Sequence, residues 1–283
     1  MTNEISFAAL PDFALLEVRG PDSERFLQGQ LTCDVVTLND LHWTLGACCT
    51  PKGRMIANFV IARRGDSFWL RLPKSQVSVL KTHLQKYAVF FKAELIEHEE
   101  SWQIIGSQID TTEPKLLETA LPVEETEQGI SLHWPDGRIE QWLSVPQSGL
   151  AIHKSWRAQD IMQGLVWVKE STTEHWIPQN IDWHQQGGVS FSKGCYTGQE
   201  IVARLQYLGK SKKSLVAINS DEPLDISVLD NLTNAEGKNV GEVVSWNKQL
   251  GLAFINQDEE GPLTVNEQTV VVSQLFYADH SEK

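Results

Sequence analysis

The apolar positions change period several times along the first two thirds of the chain, and each change marks an element. Phe13–Arg19 is a short apolar run closed by Gly20-Pro21 and reads as a strand. Pro21, Asp22 and Ser23 supply helix-start signals before residues 24–28. Residues 55–62 and 67–72 read as two strands around the turn Gly65-Asp66, with Phe68, Leu70 and Leu72 alternating. Val77, Leu80, Leu84 and Tyr87 then fall on one face at helical spacing, so residues 76–90 are expected to form an amphipathic helix. A strand at 102–105 and a short helix at 115–121, closed by Pro122, follow. Residues 130–134 and 139–145 flank Pro-Asp-Gly-Arg and predict a hairpin.

Strands and helices alternate here without a strict β-α-β repeat, which argues for an α+β fold rather than a doubly wound sheet. After Lys213 the helical signal ends. Residues 214–219, 240–246, 251–255 and 269–275 are short apolar runs separated by Gly, Asn, Asp and Pro, the pattern of a small barrel or sandwich. The expected division is therefore an α+β region over 1–212 and a β module over 213–283.

Composition narrows the function classes. The chain of 283 residues carries a formal net charge of −13, which disfavours tight electrostatic binding of nucleic acid as a primary role. The one basic candidate is the stretch from Arg204 to Lys213, with Lys210 and Lys212. Cys33, Cys48, Cys49 and Cys195 form no C-x-x-C pair, so neither a disulfide scaffold nor a zinc site is expected. Reduced thiols, no apolar run of membrane-spanning length and no signal pattern point to a cytoplasmic protein without a resident metal. Ten tryptophans are many for this length. Some serve the core, and others are candidates to line a pocket for a flat heterocycle.

The densest chemistry lies in Phe191-Ser192-Lys193-Gly194-Cys195-Tyr196-Thr197-Gly198-Gln199-Glu200. Thr197 and Glu200 have capping-box spacing and predict a helix through Leu205. Cys195 would precede that helix with Lys193 two residues away, a setting that favours thiolate over thiol. The alternative reading is a small residue in a tight turn, with Glu200 as a cap only. His175 and His184 are the histidines that could fold back as a partner.

This string, preceded by Gly188-Val189-Ser190 and followed by Ala203-Arg204, resembles the hallmark of the YgfZ family. The segments Gly20-Pro21-Asp22, Phe26-Leu27-Gln28-Gly29-Gln30-Leu31-Thr32, Asp34-Val35, Pro51-Lys52-Gly53-Arg54 and Ile177-Pro178-Gln179-Asn180 resemble its other blocks, in the same order. The resemblance implies the fold of the glycine-cleavage T-protein: two α+β subdomains around a central folate channel, plus a C-terminal β-barrel. It implies tetrahydrofolate, or another folate, as the cofactor. It also implies a role in making or maintaining iron–sulfur enzymes, including radical enzymes that modify tRNA.

Two aromatic positions contact folate in the family. One lies in an Asp-Trp-Ala context, which here reads Asp12-Phe13-Ala14; the other corresponds to Trp156. Phe13 keeps a stacking face but lacks the indole N–H, and it reads equally well as a strand core residue. Arg157 is a candidate partner for a folate carboxylate. The catalytic aspartate of the T-protein is absent from this family, and neither Asp34 nor Glu94 sits in a convincing context for it. A folate-binding accessory protein using Cys195 is therefore the leading expectation. A one-carbon transferase and a scaffold docking on iron–sulfur enzymes through residues 193–213 are the alternatives.

Overall fold

The computed structural model describes residues 5–109, 113–208, 211–259 and 261–278. In the first part of the chain the strands are β1 (Phe7–Ala9), β2 (Phe13–Arg19), β3 (His42–Cys49), β4 (Met55–Arg64), β5 (Ser67–Pro73), β6 (Glu94–His98), β7 (Gln103–Ser107), β8 (Leu121–Thr126), β9 (Gly129–His133) and β10 (Ile139–Leu143). The helices are α1 (Ser23–Gln28), α2 (Lys74–Ala88), α3 (Trp156–Met162) and α4 (Gln199–Leu208). The last strands are β11 (Lys213–Asn219), β12 (Asn231–Thr233), β13 (Asn239–Asn247), β14 (Leu250–Asn256), β15 (Leu263–Val265) and β16 (Gln268–Ser273).

Two compact units result. The first holds the described residues of Met1–Lys154, Trp167–Pro178 and His184–Ala203; the second holds those of Ser155–Val166, Gln179–Trp183 and Arg204–Lys283.

The first unit is built on a ten-stranded sheet of order β1-β7-β10-β9-β8-β3-β4-β5-β2-β6. Its pairings are antiparallel, including the predicted hairpin of β9 and β10, where Gly137 takes up the positive φ of the turn. Helix α2 covers this sheet with Val77, Leu80 and Leu84, the face that their spacing predicted. The short helix expected at 115–121 does not form. Leu121–Thr126 is instead drawn into the sheet between β9 and β3, with Pro122 opposite His42. A helix of so few residues between Pro114 and Pro122 gains too few hydrogen bonds to offset its nucleation, whereas strand pairing is cooperative with a sheet already present.

A buried ion pair fixes the curvature of the sheet. Arg71 on β5 and Glu140 on β10 are separated in strand order by four other strands. A flat sheet would hold such strands about 24 Å apart. Arg71 nevertheless bonds Glu140 through Nε and Nη2, each at 2.9 Å, and both side chains are fully buried. The sheet must therefore curl until its two halves face each other. Glu140 also accepts the indole N–H of Trp142 at 2.7 Å and that of Trp134 at 3.2 Å. Its carboxylate thus receives four donors, the condition under which a charge tolerates burial.

The second unit contains a closed barrel of order β11-β14-β13-β12-β15-β16. Ile218, Leu232, Val243, Ala253, Val265 and Val270 fill its interior. Helix α3 packs on β13 and β14. In the same unit Tyr277 donates to Asp182 Oδ2 at 3.4 Å. Burial raises the Asp182 carboxyl to about 7, and the tyrosine hydroxyl only partly offsets this.

Two stability predictions follow from these buried charges. Arg71→Met strands a carboxylate in the core and should cost about 3–5 kcal/mol in urea unfolding. Adding Glu140→Leu should recover most of that loss but not all, because two indole N–H groups then lack an acceptor. For Asp182 the folded state keeps its proton between the unfolded value of 3.8 and about 7. That contribution to stability is therefore greatest below the window and declines as pH rises through it. Asp182→Asn should remove this slope and stabilise the protein above it. Asparagine also tolerates the φ of 49° found there. Urea midpoints of both chains across the window decide the point.

Candidate functional site

Three of the sequence blocks converge in the first unit. The turn after α1, the β3–β4 connection and the segment from Gly188 to Glu200 interlock through backbone and side chains. Thr32 donates its hydroxyl to Gly188 O at 2.6 Å and accepts from Ala47 N at 2.8 Å. Ser190 N returns to Thr32 O, and Thr197 N donates to Gly29 O. The Thr197 hydroxyl donates to Gln30 at 3.3 Å, and the helix starts two residues later at Gln199. The capping role expected of Thr197 is thus replaced by a tertiary bond.

Lys193 is the clamp of this block. It is buried, and its Nζ donates to the carbonyls of Gln28, Leu31 and Cys33, each at 2.8 Å. Burial lowers its pKa, with Cys33 and Asp34 acting in the opposite sense. Tyr196 is also buried, with its ring 5.2 Å from the Lys193 ammonium.

Two glycines allow the close fit. Gly198, at φ 87°, lies so near Thr50 that an added Cβ would stand 2.5 Å from the Thr50 carbonyl oxygen and 3.2 Å from the Cα of Gly53. Gly53 itself has φ 71° and backs onto Ile201. The Pro51-Lys52-Gly53-Arg54 loop and the Cys195 segment are therefore packed backbone to backbone.

Between the two buried anchors the chain turns outward. Gly194 and Cys195 are exposed. Cys33, Cys48 and Cys49 are buried. Burial raises Cys33 to about 11 and Cys48 to about 12, and it lifts Cys49 well above its ordinary value with the help of Cys48. The four thiols thus fall into one exposed and three inert members. His184 is held at about 4 by burial and stays neutral at ordinary pH. His175 stands against Trp176, and its carbonyl accepts from Arg54.

The folate candidates are placed in different units. Phe13 opens β2, is half-buried, and carries the Arg71 guanidinium 4.3 Å over its ring. Trp167, itself half-buried, stands 4.4 Å from the same guanidinium and meets Phe13 edge-on at 5.8 Å between ring centres. Arg71 Nη1 is buried and has no hydrogen-bond partner among the described residues. This cluster escaped the sequence reading. Its signal was Arg71 itself, a charge at an inward position of the strand Phe-Trp-Leu-Arg-Leu. Trp156 and Arg157 begin α3 in the second unit, Trp156 buried and Arg157 exposed.

The fold and the interlocked block define the class first. A solved structure of the glycine cleavage system aminomethyltransferase T from Bartonella henselae superposes with a TM-score of 0.66, covering 95% of this chain and 84% of that one at 14% identity. The chain therefore has the T-protein fold, an α+β architecture with a six-stranded closed barrel.

No family model matches the chain. Individual relatives do. It is 33% identical over 256 residues to the tRNA-modifying protein YgfZ of Klebsiella pneumoniae (strain 342), spanning 80% of this chain and 78% of that protein. The tRNA-modifying protein YgfZ of Vibrio atlanticus (strain LGP32) is 30% identical over 249 residues, or 84% and 76% of the two chains. That of Colwellia psychrerythraea is 28% identical over 274 residues, or 90% and 82%. The chain belongs to the YgfZ family.

The geometry predicts a thiol count. At about pH 8 an aromatic disulfide reagent should label a single cysteine of the native protein rapidly. Cys195→Ser should abolish that phase, and all four cysteines should react in urea. Rapid labelling of a second thiol in the native chain would contradict the burial assigned to the other three.

Proposed function

We propose that this protein is a folate-binding accessory factor that supports iron–sulfur enzymes, and through them tRNA modification, with Cys195 as its working thiol. The observation that carries the proposal is the presentation of Cys195. Both of its flanks are fixed by buried anchors, yet the thiol itself stands in solvent. A residue kept only for packing would sit as Cys33, Cys48 and Cys49 do. A thiol for exchange or transfer needs access together with a defined position.

The first unit suits a pterin at Phe13. The half-buried rings of Phe13 and Trp167 meet edge-on beside a buried guanidinium whose Nη1 has no hydrogen-bond partner among the described residues. A flat heterocycle with a carbonyl on its edge could pack on such a surface and accept that hydrogen bond. In the second unit, Trp156 and Arg157 are the folate-contacting candidates that the family resemblance offers. When bound, the folate supplies a one-carbon or reducing group; the chain supplies orientation and shelter from water. Relatives carrying the name tRNA-modifying protein support the pathway. The domain reading over 1–212 and 213–283 and a cytoplasmic location are part of the same proposal. Among the described residues no helix is long and apolar enough to cross a membrane.

Titration of the full chain with tetrahydrofolate, followed by heat, should give saturable binding in the micromolar range. Trp156→Ala and Arg71→Lys should each weaken it about tenfold, the loss of roughly one stacking contact or one good hydrogen bond. Cys195→Ala should leave folate affinity unchanged while failing to restore tRNA thiolation in a strain lacking the protein. Full restoration by Cys195→Ala would move the scaffold reading ahead.

A further inference from the structure

A serine, a histidine and a glutamate meet at the β6 edge of the sheet in the first unit. The strand register brings them together. Glu17 on β2 lies opposite Trp69 on β5 and Ile96 on β6. His98 is two residues beyond Ile96, so the carboxylate, the imidazole and the indole share one face of the sheet. Ser101 follows, exposed, in the link between β6 and β7.

The bonds have a direction. Glu17 is buried, and its Oε1 accepts from the Ser67 hydroxyl at 3.0 Å. Its Oε2 lies 2.9 Å from His98 Nε2. A carboxylate only accepts, so Nε2 carries the proton and Nδ1 keeps its lone pair. That lone pair faces the Ser101 hydroxyl, with 3.0 Å between Nδ1 and Oγ. Trp69 stacks on the imidazole at 5.0 Å and 19° and holds the ring plane. Trp102, half-buried, packs on Trp69 at 4.6 Å. An exposed hydroxyl, a base and an orienting carboxylate thus stand in hydrogen-bonded sequence, the order of an activated nucleophile.

We infer that Ser101 is a nucleophile that accepts acyl groups from small neutral esters. Its Oγ bonds the carbonyl carbon while its proton passes to His98 Nδ1, and Glu17 stabilises the imidazolium. The bond from that carbon to the leaving oxygen then breaks, and the leaving oxygen takes the proton from His98. Water repeats the sequence on the acyl-serine, releases the acid and restores the hydroxyl. Residues 99–102 lie outside both strands, so their N–H groups are not committed to the ladders and are the donors at hand for the oxyanion. Trp102 offers an apolar surface beside the nucleophile. Glu97 and Glu99 are paired with Lys81 and Lys74, which leaves Glu100 and Glu17 to disfavour an anionic acyl group.

The probe is p-nitrophenyl acetate, added to the full chain carrying Cys195→Ser, because an exposed thiol would itself react with an activated ester. Nitrophenolate should appear in a burst of about one equivalent, and peptide mass should place an acetyl group on Ser101. Ser101 is exposed, so Ser101→Ala should keep the fold and lose both signals. His98→Gln should slow acetylation of Ser101 at least tenfold. Glu17→Gln should slow it similarly for a specific reason. The amide N–H donates to Nε2 and drives the proton to Nδ1, a change of tautomer that the nitrogen-15 shifts of His98 report. The negatively charged p-nitrophenyl succinate should react more slowly than the acetate. The inference fails if Ser101 carries no acetyl group, or if His98→Gln acetylates Ser101 as fast as the parent. It fails equally if Glu17→Gln reverses the tautomer without slowing the reaction.

Discussion

A single ammonium organises the part of this molecule that carries its sequence signature. Lys193 turns inward within the first unit and ends on three carbonyls, those of Gln28 at the end of α1 and of Leu31 and Cys33 just after it. Hydrogen bonds to a charged donor are worth about 1.5–3 kcal/mol each, and a buried ammonium without them would be strongly destabilising. The position of the Cys195 segment is therefore not a matter of loop preference. Once Lys193 is seated, Tyr196 is drawn inward beside it, and the two residues between them have nowhere to go but outward.

The same arrangement explains why lysine stands at a place where charge activation of the cysteine was the first reading. Three acceptors hold the ammonium on the 28–33 turn, so its role in the structure is anchoring. Its field falls on Cys33, where burial outweighs it and the thiol still ends near 11. Under the proposed thiol role, Cys195 would draw on access and placement. Arg71 follows the same logic in the core, where a cation tied into a fixed hydrogen-bond frame shapes the sheet around it.

Much of this was legible in the chain. β2, β4, β5, the β9–β10 hairpin and α2 follow the apolar runs, helical spacing and turn residues that predicted them. β3 did not announce itself, since His-Trp-Thr-Leu-Gly-Ala-Cys-Cys is buried almost throughout and lacks alternation. Residues 115–121 were expected to form a helix closed by Pro122, and β8 was not foreseen, because its partner β3 is remote in sequence. The motif blocks were visible, but their interlocking was not. Nothing local says that Gly53 and Gly198 touch, or that Lys193 reaches back more than 150 residues to Gln28. The Arg71 cluster was hidden for the same reason: strand patterning shows that a charge is inside, never what it meets there.

Electrostatics also bears on how such a protein could serve tRNA modification. At a net charge of −13 the chain has no general attraction for a polyanion. Arg204, Lys212 and Lys213 are too few to reverse that field over the length of a tRNA, and Glu200 is exposed on the same helix as Arg204. An accessory factor that acts on the modifying enzyme escapes this difficulty. Its requirements are a held cofactor and one accessible thiol, and neither depends on phosphate contacts. The acidic surface is then compatible with the tRNA-modifying name of its relatives, provided that the chemistry on tRNA is performed by the enzyme it supports.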